Sequence, residues 1–224
     1  MKNIALIPAR GGSKGVLRKN IKLFNSKPLI YWTIKTALES KYIDRVIVST
    51  EDDEIADISK SFSAEVPFKR PYELAEDDTK AIDVVLHALN NLTNVDNILL
   101  LQPTSPLRKT IHINQIFELR SKYNSASAVS ITSSRKNIDL YFDLDSKNRI
   151  SPYSKDLRLL PRQHYPKTYV LNGALYLSTS DSILKNKSFI LSSTIGYVMA
   201  EEYSIDIDTQ FDWDMAEFLM SKSL

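Results

Sequence analysis

Short apolar runs alternate with amphipathic segments along most of this chain, and this alternation constrains its fold more than any other feature. The runs at 45–49 and 97–102 are apolar on both faces, as expected of strands buried inside a sheet. After Pro28 and around Ile82, apolar residues recur every three or four positions, as in helices that pack one face on a sheet. Strands that alternate with helices indicate a Rossmann-like α/β fold, with a mostly parallel sheet flanked by helices.

The same pattern gives approximate positions for the elements. Strands are predicted at about 3–7, 45–49, 65–68, 97–102, 126–132, 173–177 and 196–199, and helices from Leu29, after Thr50, around Ile82, at about 111–122 and after Thr209. Residues 133–170 differ because they are polar, irregular and contain three prolines, with a possible hairpin between 140 and 150. We expect one domain over residues 1–224, with 133–170 as a small inserted lobe.

Composition excludes several classes of function. The 29 Lys and Arg residues nearly balance the 27 Asp and Glu residues, which gives no support for nucleic-acid binding. The chain has no cysteine and only three scattered histidines, so thiolate and zinc sites lack ligands. Any metal would be bound by oxygen atoms. The first apolar stretch is too short for a signal peptide and no 18-residue apolar segment follows, so we expect a cytoplasmic protein without a membrane span.

Three of the five glycines fall within residues 11–15, directly after the first predicted strand. The cations Arg10, Lys14, Arg18 and Lys19 surround them. Exposed backbone N–H groups and fixed cations are suited to an anionic ligand such as a nucleoside triphosphate. The spacing is neither a Walker A motif, since Ser13 precedes Lys14, nor G-x-G-x-x-G. On this motif alone, an ordinary glycine turn with solvated charges stays open.

Four further motifs follow the glycine cluster in chain order. The five together are IPARGGSKG at 7–15 with Lys19 and Asn20 behind it, RPYELA at 70–75, LQPTSPLR at 101–108, NGALY at 172–176 and SIDIDT at 204–209. This set resembles the CMP-sialic acid synthetases, the N-acylneuraminate cytidylyltransferases that activate sialic, legionaminic and related nine-carbon acidic sugars. Five spaced motifs that span the chain are far more specific than one glycine loop.

The resemblance implies a reaction and roles for individual residues. The anomeric hydroxyl of a 2-keto sugar acid would attack the α-phosphorus of CTP, which gives a CMP-sugar and pyrophosphate. It implies a single nucleotidyltransferase domain in a homodimer, with the 133–170 lobe serving dimerisation and reaching the neighbour's site. The implied catalytic residues are Arg10, Lys19 and Asp208; the nucleotide-binding residues are Gly11, Gly12, Ser13, Asn20 and Arg70; the sugar-binding residues are Gln102, Arg162 (acting in trans), Tyr176 and Phe189; and Mg²⁺ or Mn²⁺ would be held by Asp206 and Asp208.

Asp206 and Asp208 alternate with two isoleucines, so on a strand both carboxylates would share one face. The alternative interpretation is an N-cap for the helix that begins near Thr209. Two positions depart from the family pattern: Ala81 stands where many relatives carry a hydroxyl residue near the cytosine, and Val170 where relatives often have arginine. Because of the first departure, GTP stays an alternative to CTP as the nucleotide substrate. Because of the second, the residue that recognises the sugar carboxylate stays undecided.

Other functions stay open at this point. The sugar could be legionaminic or pseudaminic acid, and a non-catalytic nucleotide-sensing module on the same fold is an alternative from another class. The retained Arg10, Lys19, Asp206 and Asp208 argue against a sensor, which could lose the metal pair. The related eight-carbon Kdo activators open without Gly-Gly-Ser-Lys and fit less well. No general base is evident, which is compatible with a metal-lowered hydroxyl pKa.

Overall fold

The computed structural model describes residues 1–154 and 160–222. Its helices are α1 (Leu29–Leu38), α2 (Asp53–Ser61), α3 (Ala81–Asn91), α4 (Thr110–Lys122), α5 (Ser180–Asn186) and α6 (Gln210–Lys222). Its strands are β1 (Asn3–Pro8), β2 (Leu23–Phe24), β3 (Lys27–Pro28), β4 (Arg45–Ser49), β5 (Asn97–Leu100), β6 (Ser127–Ser133), β7 (Phe142–Leu144), β8 (Ile150–Pro152), β9 (Tyr169–Thr179) and β10 (Ile195–Val198).

Six of these strands form the central sheet, in the order β10-β6-β9-β5-β1-β4. Only β9 runs antiparallel to its neighbours, so the sheet is mostly parallel, as the alternation of strands and helices predicted. Because β1 and β5 are adjacent and parallel, their carboxyl ends open at the same edge. The glycine loop that follows β1 therefore lies beside Gln102, which follows β5.

Alternate residues of the inner strands of this sheet enter two separate core layers. In β1, Ala5 and Ile7 pack on one face against α1, α2 and α4, whereas Ile4 and Leu6 pack on the other against α3 and α5. Helices on both faces explain why the central strands are apolar throughout. A third cluster fixes α6 to the segment after the glycine loop, where the rings of Trp213 and Phe24 meet edge to face at 5.2 Å.

Three expectations about elements need correction. The strand predicted at 65–68 reduces to a single bridge between Ile47 and Glu65, because Pro67 lacks the N–H that would extend the ladder. Helix α5 was not anticipated, since its seven residues show no clear period. The segment 204–208 is irregular and belongs to no sheet, so the strand assumed for the two aspartates is wrong, although Ile207 is fully buried.

The first part of the 133–170 segment stands apart from the central sheet. It contains a short turn at Ile138–Leu140 and the hairpin of β7 and β8, which confirms the hairpin expected between 140 and 150. Several of its large apolar side chains are exposed, among them Leu144, Ile150 and Tyr153. Among the helices of residues 1–154 and 160–222, none is long and apolar enough to cross a lipid bilayer.

Candidate active site

A cleft of about 370 Å³ opens at the carboxyl ends of β1 and β5. In open α/β sheets this edge is where ligands bind. The cleft brings together residues that are far apart in the sequence. Among its lining residues are the predicted Arg10, Ser13, Lys19, Asn20, Arg70, Gln102 and Asp208.

Ser13, Lys14 and Gly15 of the glycine loop line one side of the cleft. In the part of the chain that the structure describes, the N–H groups of residues 12–16 have no hydrogen-bond partner. The N–H of Gly11 is already used, since it donates to Glu51 Oε1 at 2.7 Å. No helix follows the loop directly, because turns lead from it to β2. Its anion-binding capacity therefore comes from loop amides and cations rather than from a helix N-terminus.

Two glycines of the loop are under different constraints. A Cβ at Gly15 would lie 1.9 Å from the backbone oxygen of Asp208, so the loop packs directly on the segment that carries the two aspartates. A Cβ at Gly12 would meet nothing within 4 Å. Gly15 thus serves close backbone packing, whereas Gly12 faces open space.

The four cations near the loop divide into three groups. Arg10 and Lys14 both pair with Asp77, which also lines the cleft. Arg18 turns away from the cleft and pairs with Asp52 and Glu54. Lys19 donates to the carbonyl oxygen of Ile207 and lies 3.3 Å from Asp208 Oδ1. Lys19 therefore ties the glycine loop to the aspartate segment.

A buried ion pair forms another part of the cleft wall. Arg70 Nη2 donates to Glu51 Oε2 at 2.8 Å, and both side chains are almost fully buried. Burial lowers the pKa of Arg70, and the neighbouring Glu51 opposes this shift. Since Glu51 also accepts from Gly11, one carboxylate links the glycine loop to Arg70. The Nε of Arg70 is buried without a partner in the protein.

Asn20 is oriented by the loop backbone. Its Nδ2 donates to the carbonyl oxygen of Arg10 at 2.9 Å, whereas its buried Oδ1 has no partner. The atom of Asn20 that is left without a partner is therefore an acceptor.

The two aspartates differ in exposure. Asp206 is half-buried and its Oδ1 is buried without a hydrogen-bond partner, whereas the side chain of Asp208 is 77% exposed. Burial raises the pKa of the Asp206 carboxyl; Thr104 opposes this shift, and the charge of Asp208 adds to it.

The N-cap interpretation for Asp208 is wrong. Thr209 caps α6 instead: the N–H of Asp212 donates to Thr209 Oγ1 at 3.3 Å, and the N–H of Thr209 donates to Asp212 Oδ2 at 2.8 Å. This is the reciprocal pattern of a capping box. The Asp208 carboxylate is thus not used for capping.

Gly173 brings β9 close to Asp206 and Gln102. It has a φ of +74°, which favours glycine, and a Cβ there would lie 3.0 Å from Asp206 Oδ2 and 3.5 Å from Gln102 Oε1. The adjacent Asn172 donates from Nδ2 to Ser204 Oγ at 2.9 Å. The NGALY and SIDIDT motifs are therefore in direct contact.

Tyr176 and Phe189, which were predicted to bind the sugar, are not among the residues that line this cleft. Tyr176 and Phe189 pack on each other, with ring centroids 5.7 Å apart, in the core layer beneath α3. Phe189 is 7% exposed, whereas Tyr176 is half-buried, and its pKa is raised by burial and by Asp206. The backbone of Arg162 lies in a short turn, but its side chain falls outside the described part of the chain.

Sequence reasoning missed two acidic residues of the site. A helix was predicted after Thr50, yet α2 begins at Asp53 with Asp52 as its N-cap, so Glu51 precedes the helix and contacts the glycine loop. Asp77 gave no local signal because its partners are more than 60 residues away. For Glu51 the sequence did contain a hint: the residue follows the buried strand β4 closely, and ligands bind at the carboxyl ends of such strands.

Comparison with known proteins identifies the family of this chain. A profile of the Cytidylyltransferase family matches residues 4–218. The N-acylneuraminate cytidylyltransferase of Escherichia coli is 34% identical over 99% of this chain, although the chain spans only 52% of that protein's length. The CMP-N,N'-diacetyllegionaminic acid synthase of Legionella pneumophila is 37% identical over 98% of this chain and 97% of its own.

The fold has solved relatives as well. A structure of CMP:2-keto-3-deoxy-manno-octonic acid synthetase complexed with CTP superposes with a TM-score of 0.75, and each chain is covered completely. At 16% identity this likeness concerns the fold alone. The family profile and the relatives above 30% identity show that this chain belongs to the cytidylyltransferase family, among proteins of the CMP-sialic acid synthetase type, as its five motifs predicted.

Proposed function

We propose that this chain is a cytidylyltransferase that activates a nine-carbon 2-keto sugar acid of the sialic acid type with CTP, releasing pyrophosphate and forming a CMP-sugar. One observation carries the proposal. The cleft brings loop residues 13–15, whose N–H groups are free within the described part of the chain, and the cations Arg10 and Lys19 together with Gln102 and Asp208. The names of the relatives, which include N-acylneuraminate, legionaminic acid and pseudaminic acid enzymes, support the sugar class.

The cleft has the charges that phosphoryl transfer requires. Negative charge grows on the phosphoryl oxygens and on the leaving pyrophosphate, so fixed cations and oriented N–H groups stabilise the transition state. We assign this role to Arg10 and Lys19 together with the free N–H groups of residues 12–16. Lys19 is held in place by the Ile207 carbonyl, so its position does not depend on a ligand.

Mg²⁺ or Mn²⁺ fits Asp206 and Asp208. The buried Oδ1 of Asp206 lacks a partner, the Asp208 carboxylate is not a helix cap, and both are the oxygen donors that these ions prefer. Among residues 1–154 and 160–222, no three acidic, histidine or cysteine residues form a complete metal cage. Two carboxylates that leave positions for phosphate oxygens are typical of Mg²⁺ in phosphoryl transfer. Bound there, the ion would neutralise phosphate charge and lower the pKa of the attacking hydroxyl.

The nucleoside end of the ligand is assigned to Asn20 and Arg70. A phosphate is mainly a hydrogen-bond acceptor, so the free Oδ1 of Asn20 is better suited to a ribose hydroxyl. Arg70 lies near Ala81 and Val84 at the cleft wall, and we propose that it recognises the base. Because Ala81 supplies no hydroxyl group, CTP and GTP must be compared directly.

The proposal also covers the sugar-binding residues and the oligomeric state. We assign Gln102 to the sugar because it lies at the carboxyl end of β5 beside Gly173. We assign Tyr176 and Phe189 to the sugar side as well, since Asp206 raises the pKa of Tyr176 and Phe189 packs on the Tyr176 ring. A homodimer in which Arg162 of one protomer acts at its neighbour's site is supported by the exposed apolar side chains of the 133–170 segment.

The test is pyrophosphate release from CTP or GTP with Mg²⁺ and a panel of sialic, legionaminic and pseudaminic acids. We expect release with CTP and at least one sugar acid. Asp208→Ala should reduce this turnover at least 100-fold, in line with the loss of charge stabilisation in a transition state, while the protein stays folded. Asp214→Ala, an exposed acid on α6 outside the cleft, is the matched control.

Three outcomes contradict parts of the proposal. Nucleotide binding without pyrophosphate release for any sugar favours a non-catalytic sensing module. Release with GTP but not CTP overturns the base assignment. Turnover at the wild-type rate in Asp208→Ala shows that the metal assignment is wrong.

A further inference from the structure

Asp77 bridges two cations of the glycine loop. Its Oδ1 lies 2.8 Å from Arg10 Nη2, and its Oδ2 pairs with Lys14 Nζ. Arg10 Nη1 also donates to the carbonyl oxygen of Ala75 at 3.2 Å. A carboxylate that joins an arginine and a lysine occupies the position that a phosphate group would take between them.

The contacts of Asp77 are exposed and therefore exchangeable. The side chains of Asp77, Arg10 and Lys14 are 48%, 32% and 82% exposed. Ion pairs in such surroundings contribute little to folding, because water competes for both partners. Lys14, followed by Arg10, lowers the pKa of the Asp77 carboxyl, so Asp77 is charged at neutral pH and competes as an anion.

The segment that carries Asp77 is built to present it from a turn. Residues 75–80 connect the short helix Tyr72–Leu74 to α3 without regular structure. Thr79 closes the turn, since its N–H donates to the Glu76 carbonyl and its Oγ1 donates to the Glu73 carbonyl. Asp77 thus reaches the cleft from an exposed turn that lies outside the sheet.

We propose that Asp77 is a built-in competitor for the phosphate site, which sets the affinity for anionic ligands and favours the departure of pyrophosphate. This inference rests on the proposed function. A triphosphate must displace Asp77 to reach Arg10 and Lys14, and Asp77 takes the two cations back when pyrophosphate leaves. A neutral nucleoside has no phosphate and does not compete with the carboxylate.

The experiment measures equilibrium binding of CTP, inorganic pyrophosphate and cytidine to wild-type protein and to D77N. We expect D77N to bind CTP and pyrophosphate about 3- to 10-fold more tightly at low salt, the range for the loss of two exposed ion pairs. Cytidine binding should be unchanged. In turnover assays, inhibition by added pyrophosphate should strengthen by the same factor. D78N is the matched control, because within the described residues the exposed neighbour Asp78 makes no ion pair.

Two results would overturn the proposal: D77N that binds both anions like wild type, or D77N that binds them more weakly, as it would if Asp77 helped to hold the ligand. The assay also separates this inference from the proposed function. If wild-type protein binds neither CTP nor pyrophosphate, the proposed function is contradicted. In that case a gain of pyrophosphate binding in D77N still supports the competitor role, and no gain overturns it.

Discussion

Two arginines of the same cleft, Arg70 and Arg10, form carboxylate pairs of equal length in different surroundings. Arg70 and Glu51 are 2.8 Å apart with 3% and 7% of their side chains exposed. Arg10 and Asp77 are also 2.8 Å apart, but 32% and 48% exposed. Removing one partner of a buried pair leaves an uncompensated charge in the interior, whereas an exposed charge is simply hydrated.

This difference assigns different tasks to chemically similar contacts. Glu51 also holds Gly11 and has no hydrated alternative, so we expect the Arg70–Glu51 pair to persist with or without ligand. Asp77 can leave Arg10 and Lys14 at low cost, so that pair can exchange with a ligand. Bond length alone would not distinguish the two.

The largest expected effect is on stability and compares the two pairs directly. Glu51→Ala should lower the free energy of unfolding by about 3 kcal/mol, because Arg70 then stays buried without its counterion. Asp77→Ala should leave the unfolding midpoint near that of wild type. Urea unfolding of both variants checks this, and similar losses in the two would break the distinction.

An intermediate effect on stability is expected within the glycine loop. There the closely packed Gly15 and the unpacked Gly12 are three residues apart. Gly15→Ala places a Cβ against the Asp208 backbone and should destabilise the protein by about 1–3 kcal/mol, the usual cost of overpacking. It should also impair pyrophosphate release in the turnover assay, since the loop and the aspartate segment must separate. Gly12→Ala has open space and serves as the control; a larger loss of stability in Gly12→Ala than in Gly15→Ala would contradict the packing argument.

The smallest expected effect is on the pH dependence of stability, and it tests the burial of His112, which lies outside the cleft. His112 accepts the Lys109 N–H at Nδ1, and burial, with Arg108 and Lys109 adding to it, lowers its pKa to about 4. Unfolded histidine titrates near 6.5, so between these values the unfolded state binds more protons and stability falls as pH falls. We expect about 1 kcal/mol less stability at pH 5.5 than at pH 7 from this group.

His112→Gln, which keeps an acceptor at the cap, should remove that part of the pH dependence. The affinity for CTP at pH 7 should not change, because His112 does not line the cleft. If the loss between pH 7 and 5.5 is the same in wild type and variant, burial of His112 does not account for it.

Much of the architecture could be predicted from local patterns. The period of apolar residues gave the α/β class, the main strands and all of the longer helices, because each helix or strand buries one or both of its faces. Predictions failed where long-range context decides. The 204–208 segment alternates like a strand but finds no neighbouring strand, and the short strand at 65–68 ends at Pro67.

The predictions for the candidate site also met with mixed results. The family resemblance of the five motifs brought the glycine loop, Gln102 and the two aspartates into one hypothesis, and the structure places Arg10, Lys19, Asn20 and Asp208 around one cleft. Tyr176 and Phe189 pack on each other in the core layer with α3 instead; Tyr176 comes from β9, whereas Phe189 comes from the segment after α5. Their role in sugar binding stays a prediction, as does that of Arg162.

The sequence by itself determined the fold class, the family and the order of the five motifs, since these depend on residue types at short spacings. Only the tertiary structure decided which acid neutralises which cation. Glu51 and Asp77 reach the glycine loop from 40 and more than 60 residues away, because the sheet order places β4 and the turn before α3 beside β1. Burial, which only packing determines, then fixes one pair and leaves the other free to exchange.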